Sequence, residues 1–370
     1  MSGPTTDLSG SPAAAGPSVL DDPAELARRD PGDMLGEVAS AGGQARVALR
    51  AAQAATLVGP LPEVVVVAGM GGSGIAGDVL AALAFAGSAV PVLPVKGDRL
   101  PTFVGPGTLL VATSYSGNTA ETLTAVEQGV AAGARLVAVT SGGALAELAS
   151  SRGAPVVSID GGRMPRAALW SLLVPVALAA EAAGVLPPLT DQVSVAADTL
   201  DEEAAALGPE VETAANPAKQ AALRLLGRLP VVWGSGQLGA VAATRFRAQC
   251  NENAKISVVS GPIPEVDHND VMGLEGGLGP DRELVLLRDE PGEHDRDPRR
   301  IDAVLKALGV ADPVLRAAGT GPELARLARL TAFADFTSTY LGIARGVDPT
   351  PIRTLDQVKA TLAAEAGAPR

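Results

Sequence analysis

Between residues 61 and 180, short apolar runs alternate with longer stretches of helical character. Val64–Ala68 precedes a helical pattern over Ile75–Phe85, Val90–Val95 follows, and Leu109–Thr113 leads into a helix over Ala120–Ala132. Leu136–Thr140 is followed by Ala144–Ser150, then by Val156–Ile159 and an apolar helix from Arg166. Apolar runs of about five residues spaced by helices predict a parallel sheet with helices on both faces. Ahead of this, residues 20–57 read as Ala-rich helix. Polar, Pro-containing sequence around 205–218 interrupts the rhythm, which then restarts. Pro230–Trp233 is a strand followed by Gly234-Ser235-Gly236 and a helix over Ala240–Cys250. Leu284–Leu287 and Pro313–Arg316 read as strands; Arg299–Leu308, Glu323–Leu341 and Leu355–Ala364 read as helices. The halves resemble diverged copies of one α/β unit. The expectation is an α/β fold of two subdomains, each a mostly parallel sheet in a three-layer αβα sandwich. Its parts are a disordered tail (1–18), a helical segment (19–57), a first domain (58–205) and a second (206–370).

Two loops carry the chemistry. Gly69-Met70-Gly71-Gly72-Ser73-Gly74 follows the first strand, and Ser114-Tyr115-Ser116-Gly117-Asn118-Thr119 follows the third. A strand that ends at a helix start presents unpaired N–H groups and a favourable dipole to an anion. Gly69, Gly71 and Gly74 also satisfy G-x-G-x-x-G, and Asp98 stands near the acidic position of a dinucleotide site. That reading keeps an NAD-dependent dehydrogenase open. The second loop tips the balance, because Ser114, Ser116 and Thr119 put three hydroxyls where a phosphate monoester has three terminal oxygens. A helix-capping turn accounts for one such residue, not for the pair of loops.

Composition narrows the partners. A net charge of −12 argues against nucleic acid or an anionic membrane surface. The longest candidate span, Ala167–Ala180, falls short of the roughly 20 residues a crossing needs and reads as a buried helix. One cysteine, Cys250, excludes an internal disulfide and fits a reducing cytoplasm; it reads as a small buried apolar residue. Residues 1–18 lack the pattern of a signal peptide. Two histidines and one cysteine make a transition-metal site an unneeded assumption, and no cofactor is expected. Aromatics are only 2% of the chain, so the core must be built from Ala, Val and Leu.

The loops, together with Met164-Pro-Arg-Ala-Ala-Leu169, Asn251-Glu-Asn-Ala-Lys255, His268-Asn-Asp270 and Gly346-Val-Asp-Pro-Thr350, resemble the bifunctional phosphoglucose/phosphomannose isomerases of the sugar isomerase (SIS) fold. The match runs from about residue 60 to the C-terminus. It implies interconversion of glucose 6-phosphate or mannose 6-phosphate with fructose 6-phosphate through a cis-enediol, without cofactor or metal. By the same resemblance Gly72, Ser73, Ser114, Ser116 and Thr119 hold the phosphate and Glu252 is the base. Arg166 stabilises the enediolate. His268, from the partner subunit of a homodimer, and Lys359 open the ring. Thr350 or Thr354 shapes the wall that admits the mannose epimer. Trp170, where the family has a small residue, and the glycine-rich Glu275–Pro280 are departures expected to alter the sugar pocket. A non-catalytic SIS sensor of phosphosugars is the alternative, against which Glu252, Arg166 and His268 together argue. His294, in a charged stretch, is expected to be an ordinary exposed residue.

Overall fold

The computed structural model describes residues 19–57, 59–289 and 297–366. The sequence expectations for residues 1–18 and for His294 lie outside them. Three helices come first: α1 (Pro23–Arg29), α2 (Met34–Ala39) and α3 (Ala41–Ala54). The first sheet follows, with β1 (Val64–Gly69), α4 (Gly71–Gly87), β2 (Val92–Val95), β3 (Thr108–Ser114), α5 (Ala120–Ala131), β4 (Arg135–Thr140), α6 (Gly143–Ser151) and β5 (Val156–Ser158). All its strands pair in parallel, in the order β2-β1-β3-β4-β5. The apolar helix expected from Arg166 begins as a 3-10 turn, Pro165–Ala167, and continues as α7 (Leu169–Ala182), buried from Leu169 to Ala180. Among the described residues no helix is long and apolar enough to cross a membrane.

Helices α8 (Thr190–Leu207) and α9 (Pro217–Leu225) lead to the second sheet. It is built from β6 (Leu229–Ser235), α10 (Gly236–Gln249), β7 (Val259–Pro262), β8 (Arg282–Arg288), α11 (Asp297–Leu308) and β9 (Val314–Ala317). Its order, β7-β6-β8-β9, is also all parallel and repeats the first sheet without its last strand. Helices α12 (Glu323–Ala344) and α13 (Arg353–Ala366) close the chain. Strand β7 escapes the hydrophobic pattern because it is a partly exposed edge strand with no apolar run. Helix α9 starts where Pro217 and its Asn216 cap suggested only a break.

Side-chain alternation explains the layering. Val65 and Val67 of β1 face a central core with α4 and α7, whereas Val66 and Ala68 face a second core with α5 and α6. In β6, Val232 enters the same central core, and Val231 and Trp233 face α11. Small residues let helices from both sheets share that core, in which α4 packs on α10 and α8 on α12.

Each sheet has a crevice where successive crossovers leave to opposite faces: between β1 and β3, and between β6 and β8. The second is plugged from within. The Asp289 side chain, just past β8, lies at the first residue of α10, where a Cβ on Gly236 would meet its Cβ at 3.0 Å and its carboxylate at 3.3–3.6 Å. Arg326 holds it, Nε to Oδ1, at 2.8 Å.

Candidate active site

The crevice of the first sheet is built differently. Helix α4 begins behind Met70 and α5 behind Thr119, and neither start has a side-chain cap. By contrast Asp22 caps α1 and Asn216 caps α9. The Ser73 N–H turns back to the Met70 carbonyl at 3.0 Å, and no side chain caps the other first-turn N–H groups of α4 and α5, which are open to a ligand or solvent. The two loops are fastened to each other. The Ser73 Oγ accepts from the Tyr115 N–H at 3.2 Å, and the Thr113 hydroxyl donates to the Ser73 carbonyl at 2.9 Å. Ser114 and Thr119 hydroxyls lie 2.9 Å apart, and the Ser116 Oγ accepts from the Asn118 N–H at 3.3 Å. Gly117, at φ +68°, is required: a Cβ there would stand 1.8 Å from the Gly142 carbonyl oxygen.

Beside this cradle lies Arg166, only 3% exposed. A Cβ on Gly72 would meet the Pro165 carbonyl at 3.2 Å and the Arg166 Cα at 3.3 Å, so glycine lets the first loop lie against the arginine's backbone. The guanidinium donates from Nε to Asn253 Oδ1 at 2.7 Å, and from Nη2 to the carbonyls of Pro349 (2.7 Å) and Thr350 (2.8 Å). Burial pulls its pKa below the usual arginine value.

Glu252 stands on the far side. Helix α10 ends in a π-helical turn, Cys250–Ala254, a geometry common at functional sites. The turn carries the half-buried Glu252 carboxylate to 3.8 Å from Arg166 Nη1. Lys255, in left-handed backbone at φ 55°, ends the turn, and its ammonium donates to the Glu252 and Pro349 carbonyls. Burial, and then the charge of Arg166, lower its pKa. A cleft of about 1020 Å³ opens here, with Glu252, Lys255, Asp348, Ile352, Thr354 and Val358 in its lining.

A buried polar network braces this turn. Arg245, Gln249 and Asn253 recur every four residues along one face. Arg245 donates to the Arg166 carbonyl at 3.0 Å and to both carboxylate oxygens of Asp335 at 2.8 and 2.6 Å. Gln249 donates to Asp335 at 2.9 Å. Burial pushes the Asp335 carboxyl upward and Arg245 opposes it. From the other side, Gln44 of α3 donates to the Ala167 carbonyl at 3.0 Å. Sequence reasoning missed Arg245, Gln249 and Asp335; their signals were the spacing of four and one acidic residue inside an apolar helix.

Other expected residues lie apart. His268 is exposed after the turn Glu265–Asp267 beyond β7, its Nε2 3.4 Å from Arg300, and does not meet Arg166 or Glu252. Lys359 is exposed on α13, a helix whose described side chains are all exposed; Thr354, Leu355 and Val358 of that helix line the cleft, and Lys359 does not. Thr350 abuts Gly32, and its Oγ1 is buried without a partner among the described residues. Two expectations about the pocket need correction. Trp170 is 2% exposed and packs in the central core, where α7 is buried all round, rather than facing the cleft. The loop Glu275–Pro280 feeds the N-terminal end of β8, the opposite edge from the strand ends that form the crevices. Cys250 is fully buried, as expected, and burial pushes its thiol pKa up.

Residues 214–362 match the family described as the bacterial phospho-glucose isomerase C-terminal SIS domain. A solved structure of a glucose-6-phosphate isomerase like protein from Thermus thermophilus shares the fold, with a TM-score of 0.59 at 23% identity over 92% of this chain and 98% of that one. Fold and crevice thus define an SIS-type α/β protein. A bifunctional phosphoglucose/phosphomannose isomerase of Caldicellulosiruptor bescii is 34% identical over 306 residues, 81% of this chain and 89% of the relative. One from Thermoplasma acidophilum is 33% identical over 297 residues, 80% and 88% of the two chains. The chain belongs to the bifunctional phosphoglucose/phosphomannose isomerase family.

Proposed function

We propose that this enzyme interconverts glucose 6-phosphate and mannose 6-phosphate with fructose 6-phosphate by proton transfer through a cis-enediol. The observation that carries the reading is the position of Arg166, buried between the cradle of uncapped helix starts and the Glu252 carboxylate. The Gly72 N–H and the hydroxyls of Ser73, Ser114, Ser116 and Thr119 bind the phosphate, with the two helix dipoles adding to them. Glu252 takes the proton from C2 of the aldose, which leaves negative charge on the oxygen at C1. Arg166 stabilises that charge, the hydroxyl proton of the oxygen at C2 passes to the oxygen at C1, and Glu252 returns the carbon-bound proton to C1 as the carbonyl forms at C2. His268 of a second copy and Lys359 open the sugar ring in a homodimer, and the exposure of both side chains supports that arrangement. Of Thr350 and Thr354, Thr354 lines the cleft and flanks the sugar. The phosphorylated substrate and the single buried cysteine fit action in the cytoplasm.

A coupled assay starting from fructose 6-phosphate, reading glucose and mannose 6-phosphates separately, tests this. Wild type forms product. Glu252→Gln loses about 10³-fold in kcat, within the range a general base contributes. Phosphosugar binding without turnover by wild type would sink the isomerase reading in favour of a sensor. Full activity in Glu252→Gln would remove Glu252 from the mechanism.

A further inference from the structure

We propose that Asn253 is a positioning residue that fixes the Arg166 guanidinium through a neutral acceptor, so that no carboxylate hydrogen-bonds it and its charge serves an anion forming on the substrate. The inference rests on the isomerase reading and deepens it.

Two buried arginines sit along one face of α10 and its π-helical turn, and they are treated in opposite ways. Arg245 is cancelled by Asp335 through two short hydrogen bonds. Arg166, equally buried, is bonded through its guanidinium to neutral oxygens: the Asn253 amide and the Pro349 and Thr350 carbonyls. The Glu252 carboxylate stands 3.8 Å away, within ion-pair range but beyond hydrogen-bond distance, and Asp348 and Asp30 act on the guanidinium only through their charge. A buried charge is normally paired. Here three neutral acceptors hold the arginine's geometry, and its ion pair to Glu252, a residue of the cleft lining, lies outside hydrogen-bond distance.

Asparagine suits this position where aspartate would not. Arg166 Nε can only donate, so it requires an acceptor, which Oδ1 supplies. The Asn253 Nδ2 donates to Ser338 Oγ at 3.0 Å and to Thr339 Oγ1 at 3.4 Å. Both hydroxyls already give their protons to the Asp335 carbonyl, at 2.9 and 2.8 Å. They therefore face Asn253 as acceptors and lock its amide with Oδ1 toward Arg166. A carboxylate would meet two lone-pair oxygens on one side and neutralise the arginine on the other. Glu252 is the adjacent residue of the same turn, so one anchor sets both groups.

The test is Asn253→Asp in the full chain, with calorimetry on two probes. One is 5-phospho-D-arabinonate, whose carboxylate mimics the enediolate; the other is D-glucitol 6-phosphate, whose chain end is neutral. Wild type prefers the aldonate. The variant should lose about tenfold or more of that preference and keep glucitol 6-phosphate affinity within about threefold, while kcat on fructose 6-phosphate falls about 10²-fold at similar KM, the scale of one lost oxyanion donor. An unchanged preference, or equal weakening toward both probes, would overturn the proposal. Ser338→Ala, which loosens Asn253 without adding charge, should move the preference the same way by less; no movement counts against it, even where the aspartate variant does not fold. The isomerase reading fails on a separate result, absence of wild-type turnover, because the preference is read without turnover.

Discussion

At the residue scale, the cradle depends on what its glycines leave out. Gly117 combines a left-handed φ of +68° with a 1.8 Å approach of its missing Cβ to the Gly142 carbonyl. Gly117→Ala therefore has to displace the loop carrying Ser116 and Thr119. Strain of this kind costs on the order of 1–3 kcal/mol, so KM for fructose 6-phosphate should rise about tenfold or more with a fall of a few degrees in Tm, read by steady-state kinetics and thermal melts. An unchanged KM would mean that this loop does not bind the phosphate. These glycines and hydroxyls were legible in the sequence because a strand, a turn and a helix start are local events. Arg166, Glu252 and His268 stood out through the resemblance, not through pattern: single charged residues carry no period. Asn253 was visible as part of a motif, yet its role was not. The amide means something only once Arg166 and Ser338, 87 and 85 residues away, are placed against it.

At the scale of elements, α10 and α12 are joined by polar groups buried inside an otherwise apolar contact. Removing one partner of such a pair leaves the other charge stranded. Asp335→Ala should destabilise the protein by about 3–5 kcal/mol, read as a shift in the urea midpoint at constant m. A shift below about 1 kcal/mol would mean that water reaches Arg245. The strands with continuous Val and Leu runs were legible because parallel strands buried on both faces read that way. The edge strand β7 was not, since half its surface is open. Nor was the π-helical turn, whose extra residue shifts no hydrophobic position far enough to register. The start of α10 at Gly236 instead of Ala240 has the same cause: the first turn of a helix after a crevice is Gly and Gln, which look like loop.

At the scale of the whole molecule, a single chain brings together the cradle, Arg166 and Glu252, and leaves His268 and Lys359 outside. The proposed homodimer makes a sharp prediction. Glu252→Gln and His268→Ala proteins should each be inactive as pure preparations. Mixed under conditions that exchange subunits, they should regain activity, because each mixed dimer restores one site with both groups intact. No recovery despite exchange, followed by mass spectrometry of labelled subunits, would place the histidine's action within its own chain. In the sequence this expectation came only through the family resemblance, because an exposed loop histidine looks the same whether or not it serves another copy.

The plugged crevice of the second sheet has a mechanical consequence. Asp289, held by Arg326, sits at the N-terminus of α10, and the other end of that helix continues into the turn bearing Glu252. Its 14 residues make a rod of about 21 Å, so a tilt of about 1.5° at the plugged end would sweep the carboxylate through about 0.5 Å, the whole tolerance of a working site. The plugged copy of the crevice thus acts as a clamp at the fixed end of a lever. Aim at one end is bought with stiffness at the other.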